Sequence, residues 1–161
     1  MLRLTRYAFA LMIVFALAFS ASAGEGRWIE MDKCEVCRPM ADQPELMKNT
    51  LWEHHSISNG LVSVTTVKDD YKALYNQTHQ KMITAASLKR AGDSAGLCAM
   101  CTSLSAIVAK GLKMDTINTW QGNIVIMTSD DPDVVAEIQA WGKRTMDELH
   151  TSAAMPEGHG H

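Results

Sequence analysis

Apolar side chains recur at helical spacing in four stretches of this chain and alternate with polar ones in four others, after one unbroken apolar run near the start. Leu97, Met100, Cys101, Leu104, Ile107, Val108 and Leu112 make one helical stripe. Tyr71, Leu74, Tyr75, Thr78, Met82 and Ala86 make a second, and Val134, Val135, Ile138, Trp141, Thr145 and Leu149 a third. Met40, Leu46, Met47 and Leu51 fit a shorter helix, whose start Pro44 confines to residues 41–44 because proline is not tolerated in a helix interior. The last helix has a clear beginning in Asp131-Pro132-Asp133: a capping carboxylate, a proline at the first helical position and an acid near the positive dipole end.

The alternating stretches predict two hairpins. Residues 52–58 and 61–67 flank Asn59-Gly60, a pair that accepts the positive φ angles of a tight hairpin turn. With that turn Ile57 lies opposite Val62 and His55 opposite Val64, and these four are expected on the helix-covered face. Trp52, His54, Ser56, Ser63 and Thr65 are then expected to face water. The second hairpin is 116–120, a turn near Gln121-Gly122-Asn123, then 124–128. In it Val125, Met127 and Trp120 are expected to point away from the helices, as a surface for a protein partner or a second copy, or under a terminal segment.

Both hairpins fall in the same order of elements. Cys34-Glu35-Val36-Cys37 and Cys98-Ala99-Met100-Cys101, 64 residues apart, each precede a helix, a hairpin and a longer helix, and Ala91–Gly96 is a linker between the two series. The fold class predicted is α+β: a two-layer sandwich from an internal αββα duplication, with repeats at about 34–91 and 98–151. A four-stranded, mainly antiparallel sheet would carry helices on one face, since one hairpin alone is marginal. The domain predicted spans 24–151, followed by a flexible, histidine-containing tail at 152–161.

The initial apolar run does not belong to that domain. Arg3 and Arg6 precede thirteen apolar residues, Tyr7 to Phe19, and Ala21-Ser22-Ala23 follows as a small-x-small cleavage site. This predicts a signal peptide at 1–23 and a periplasmic or secreted protein. The run is shorter than the ~20 apolar residues a membrane span needs, and no cysteine follows it to carry a lipid, so no stable membrane anchor is expected after cleavage. Cleavage leaves 138 of the 161 residues and, with Arg3 and Arg6 gone, moves the formal charge from −3 to −5. Nothing in that balance favours a nucleic-acid partner. All four cysteines stay, in an oxidising compartment.

Cysteines three apart at a helix start place both sulfurs on one side of a turn, where unpaired N–H groups favour thiolate. If the two motifs meet, Cys34, Cys37, Cys98 and Cys101 offer four thiolates, a donor set that suits tetrahedral Zn2+ or Cu(I). Met31, Met40 and Met100 add thioether sulfur within three residues of a cysteine and tilt the choice towards copper, with Met100 a reserve ligand. Two other expectations compete with metal trafficking, storage or detoxification. Four cysteines outside the cytoplasm also suit a disulfide-stapled binding module. Cys-x-x-Cys also suits a thiol–disulfide oxidoreductase, although neither motif follows a strand in a βαβ unit, and the interval between the pairs exceeds that of zinc ribbons. Paired thiols at a helix start resemble the way small metallochaperones hold soft metals, while the αββα order departs from their strand-first layout.

Among the histidines, neighbours His54 and His55 point to opposite faces of a strand, and His55 is the candidate ligand because it shares the face of Val62 and Val64. A histidine satisfied by hydrogen bonds is the competing account of His55, and His79 reads as a boundary residue. Met47, Met82 and Met114 read as core packing. His159 and His161, with Met155, could chelate Cu(II) or Zn2+ in the tail. Asp69-Asp70 and Asp130-Asp131 are explained by helix starts. No nucleophile elbow, phosphate loop, dinucleotide fingerprint or zinc-protease motif occurs, so catalysis has no candidate residue.

Overall fold

The structure is a computed structural model and describes residues 27–154; the expected signal peptide and the tail with His159 and His161 lie outside them. Two short helices come first, α1 (Arg38–Ala41) and α2 (Pro44–Lys48), then β1 (Thr50–Ile57) and β2 (Gly60–Val67). A 3-10 turn at Asp69–Tyr71 leads into α3 (Lys72–Ser87). After the linker come α4 (Ala99–Ala109), β3 (Lys113–Thr119), β4 (Gly122–Thr128) and the long α5 (Pro132–Ala154). The four strands form one antiparallel sheet in the order β1-β2-β4-β3, with helices on one face, an α+β sandwich. Each cysteine pair is followed by helix, hairpin and longer helix, the first helix being split in two and its hairpin followed by the 3-10 turn; duplication itself stays an expectation resting on that order and the cysteine spacing.

The helices are where the periodicity places them. Asp131 Oδ1 accepts the Asp133 N–H at 2.9 Å and caps α5, whose buried side chains include Val134, Ile138, Trp141 and Thr145. Tyr75 and Thr78 are the buried side chains of α3. The short first helix is broken in two, because proline disfavours a helical residue before it and Gln43 adopts φ −125°, ψ 67°. Leu51 falls outside it altogether: Thr50 Oγ1 donates to the Leu46 carbonyl at 2.8 Å, the chain turns into β1, and Leu51 is left 57% exposed.

The sheet corrects two expectations. The β1–β2 link is Ser58-Asn59, with Ile57 opposite Gly60 and His55 opposite Val62. Gly60 is used in the strand instead of the turn, since a Cβ there would fall on the Met127 carbonyl oxygen of β4. Gly122 meets the Thr65 carbonyl of β2 in the same way. Second, the covered face is the opposite of the one predicted. Leu61, Thr65, Val67 and, across the sheet, Met127 and Asn123 are buried beneath the helices, with Trp52 and His54 half-buried beside them. Val125 and Met127 therefore face the helices, and only Trp120, 83% exposed in the β3–β4 turn, points into solvent, with the Lys72 ammonium 4.2 Å from its ring. The open face carries Ile57, Val62, Val64, Ile124 and Ile126, and it is apolar too. Valine content could not tell inside from outside because polar groups on the covered face have partners. His54 Nδ1 lies 3.2 Å from the Gly142 carbonyl, and Asn123 Nδ2 donates to His79 Nε2 at 3.0 Å.

α5 packs on β1 and β2, α3 on β4 and on α1, and α4 on α5. One core lies under α5 (Trp28, Leu61, Ile107, Leu112, Met127, Val134, Ile138, Trp141) and another under α3 (Met40, Leu46, Val67, Tyr75). Between them lies a third, smaller cluster, made of cysteines.

Burial gives the fold a pH dependence. Desolvation holds both His54 and His79 below the ordinary histidine value of 6.5, so both are neutral in the folded chain at pH 7. An unfolded chain takes up protons below 6.5; the contribution of these histidines is complete above that value and is lost as the pH falls towards their folded values. Thermal melts of the metal-free protein are expected to show a lower midpoint at pH 5 than at pH 7, and His54→Gln is expected to shrink that difference. An unchanged difference in the variant would remove His54 from this account.

Candidate metal centre

Each cysteine pair enters the first turn of its helix by the same backbone bond. The Cys34 carbonyl accepts the Arg38 N–H at 2.8 Å and the Cys98 carbonyl accepts the Thr102 N–H at 2.9 Å. Cys37 is the residue before α1 and Cys98 the residue before α4. Three further contacts fix the two turns to each other and to their surroundings. Glu35 N–H donates to the Gly96 carbonyl at 2.9 Å, Met100 N–H donates to the Trp28 carbonyl at 3.0 Å, and the Glu35 carboxylate pairs with Lys89 at 2.8 Å. Trp141 Nε1–H donates to the Met100 carbonyl at 3.0 Å and ties α4 to α5.

The result is a knot of sulfur. All four Sγ atoms lie within 4.8 Å of one another; Cys34, Cys37 and Cys98 are buried and Cys101 partly so. Cys37 and Cys101, from different motifs, approach to 3.3 Å, and the four cysteines are free thiols. That separation exceeds the ~2.05 Å of a disulfide, and no cysteine pair among the described residues stands at bonding distance. Four sulfurs around Zn2+ at ~2.3 Å with tetrahedral angles stand about 3.8 Å apart, within the spread seen here.

Sulfurs this close cannot all ionise, and they divide into two kinds. Hydrogen bonds from Cys101, and then from Cys37 and Cys98, hold the Cys34 thiol far below its ordinary value. The Cys101 hydrogen bond likewise brings Cys98 down to about 6. Cys37 is pushed well up by its hydrogen bond to Cys101, and Cys101 by its hydrogen bond to Cys34, with burial adding to both. A cation bound by all four sulfurs must displace the protons that the raised thiols hold.

Gly96 is built into the approach of the two motifs. Its φ is +68°, and a Cβ on it would meet the Glu35 carboxylate. The expected cost of Gly96→Ala is about 1–2 kcal/mol for the left-handed backbone, read as a lower urea midpoint at unchanged slope. Wild-type stability in that variant would mean that the linker relaxes without strain.

Of the other candidates among the described residues, Met100 reaches the cysteines and His55 does not. His55 is exposed on the open face of the sheet, away from the sulfurs; its neighbour His54 is the one on the helix side. Met100 packs against the cysteines, as does Met31, whereas Met114 on the edge strand is 46% exposed and is not a core residue. Trp28, which sequence reasoning passed over, holds the segment leading to Cys34; its position six residues before the first cysteine was the available signal. No helix among the described residues is long and apolar enough to cross a membrane. No protein family, characterised protein or solved structure compared with this chain matches it.

Proposed function

We propose that this is an extracytoplasmic metal-binding protein that holds Cu(I) or Zn2+ between its two Cys-x-x-Cys motifs, in trafficking, storage or detoxification of the ion and without turnover. One observation carries the reading: residues 64 positions apart contribute four sulfurs that lie within 4.8 Å of one another. Soft and borderline cations are the partners of such a donor set, and hard ones are not. The apolar open face of the sheet is offered to a second copy, which sedimentation of the purified protein would detect as a dimer.

The test is metal analysis and thiol titration on protein purified without oxygen from its native compartment. One metal ion per chain is expected, with four thiols that react only after a chelator has removed it. Four oxidised cysteines and no metal would overturn the reading, and two reactive thiols with a measurable reduction potential would replace it by the oxidoreductase.

A further inference from the structure

Against the cysteine cluster lies a cavity of about 160 Å³ with an unusual lining. Met31, Met40, Met82 and Met100 border it together with His54 and Cys37, and Trp52 and Trp141 close its sides. These methionines come from the segment before α1, from α1, α3 and α4, so four distant parts of the chain deliver thioethers to one place. No carboxylate of the described residues lines it. Methionine is a common gap-filler in cores, and thioethers alone would mark nothing more than that.

His54 separates this cavity from ordinary packing. Its Nδ1 faces the Gly142 carbonyl at 3.2 Å, and a carbonyl only accepts, so Nδ1 carries the proton and Nε2 keeps its lone pair. The ring makes no second hydrogen bond among the described residues, and it stacks on Trp141 with centroids 5.2 Å apart and planes at 23°. A backbone carbonyl on one imidazole nitrogen is the arrangement that fixes the tautomer and orientation of a metal-ligating histidine. Gly142 sits on α5 where a Cβ would strike Leu61 on β2; the helix can come this close to the sheet only with glycine there.

We propose that this cavity is a second Cu(I) site, in which His54 Nε2 and methionine thioethers hold a cuprous ion beside Cys37. Imidazole and thioether are neutral soft donors, which choose Cu(I) over Zn2+ and over hard cations. Four thiolates around one ion leave the neighbouring cluster negative, and that charge favours a cation in the cavity. When the cluster is empty, passage into it is ligand exchange: copper–imidazole and copper–thioether bonds break, copper–Sγ bonds to Cys37 and then its partner cysteines form, copper stays Cu(I), and the thiol protons displaced go to water. The proposal deepens the four-cysteine reading and rests on it for the destination of the ion.

The test is a titration of the reduced full chain with Ag(I), a redox-inert stand-in for Cu(I), followed by methionine-methyl and imidazole-nitrogen NMR alongside thiol reactivity. The first equivalent is expected to protect the thiols, and the second to shift the Met82 methyl and His54 Nε2. His54→Gln combined with Met82→Leu is expected to weaken the second equivalent by at least about tenfold and to leave the first unchanged. Met82→Leu alone, which keeps the volume, provides a folded control. A second equivalent that leaves Met82 and His54 unmoved, or that the double variant binds as tightly, overturns the site and leaves the cysteine reading standing. Shifts at Met82 and His54 with no protection of the thiols would sustain the site and sink the cysteine reading.

Discussion

Cys98→Ser is expected to weaken metal binding by more than about 100-fold, beyond the 10–100-fold that loss of an outer partner causes. Cys98 stands at the head of α4, and the Cys101 hydrogen bond holds its sulfur down to about 6, which favours the thiolate a metal takes. Serine keeps the size and a hydrogen-bonding group but replaces a soft thiolate by a neutral hydroxyl. Competition against a chelator of known affinity measures the loss, and thermal unfolding of the metal-free forms checks that the fold has not gone with it. Proton accounting adds a sign. Cys37 and Cys101 are pushed up and must lose protons to the ion, so wild-type affinity is expected to rise with pH through neutrality. Unchanged affinity in Cys98→Ser would mean that the cation does not sit among these sulfurs.

Much of this architecture was legible because its signals are local. A helix is announced by spacing within a few turns, and a cap such as Asp131 by its own neighbours. Pairing of the cysteine motifs was legible for a different reason: two equal chemical groups before similar elements suggest a common place. Which face of the sheet is covered was not legible. Val62 and Val64 look like core residues on their own strand, and Trp52, His54 and Thr65 look like surface until α5 is laid on them. The outcome is decided by partners far away in sequence: the Gly142 carbonyl for His54, His79 for Asn123, and Leu61 packing where Gly142 leaves room. The cavity beside the cysteines was hidden likewise. Met82 on α3 reads as packing until Met31, Met40 and Met100 arrive next to it from other elements.

Trp28→Ala is expected to cost about 3–5 kcal/mol of stability, the range for truncating a large buried aromatic. The indole is buried in the core under α5, its Nε1–H donates to Thr145 Oγ1 at 3.1 Å, and the Arg144 guanidinium lies 3.9 Å from its centroid. Thr145 itself donates to the Trp141 carbonyl at 2.8 Å and keeps that bond in the variant, so the cost is mainly the cavity. Trp28→Phe keeps most of the packing and loses one hydrogen bond, about 1 kcal/mol. Urea unfolding of the metal-free proteins ranks the three. The Trp28 carbonyl also accepts the Met100 N–H between Cys98 and Cys101, so this residue aligns the segment entering Cys34 with the turn that carries the other pair. Metal affinity is therefore expected to fall in Trp28→Ala and to be nearly restored in Trp28→Phe. If affinity instead stays at the wild-type level while stability drops, the backbone bonds and the Glu35–Lys89 pair hold the sulfurs in position, and the Trp28 side chain belongs to the core without serving the site.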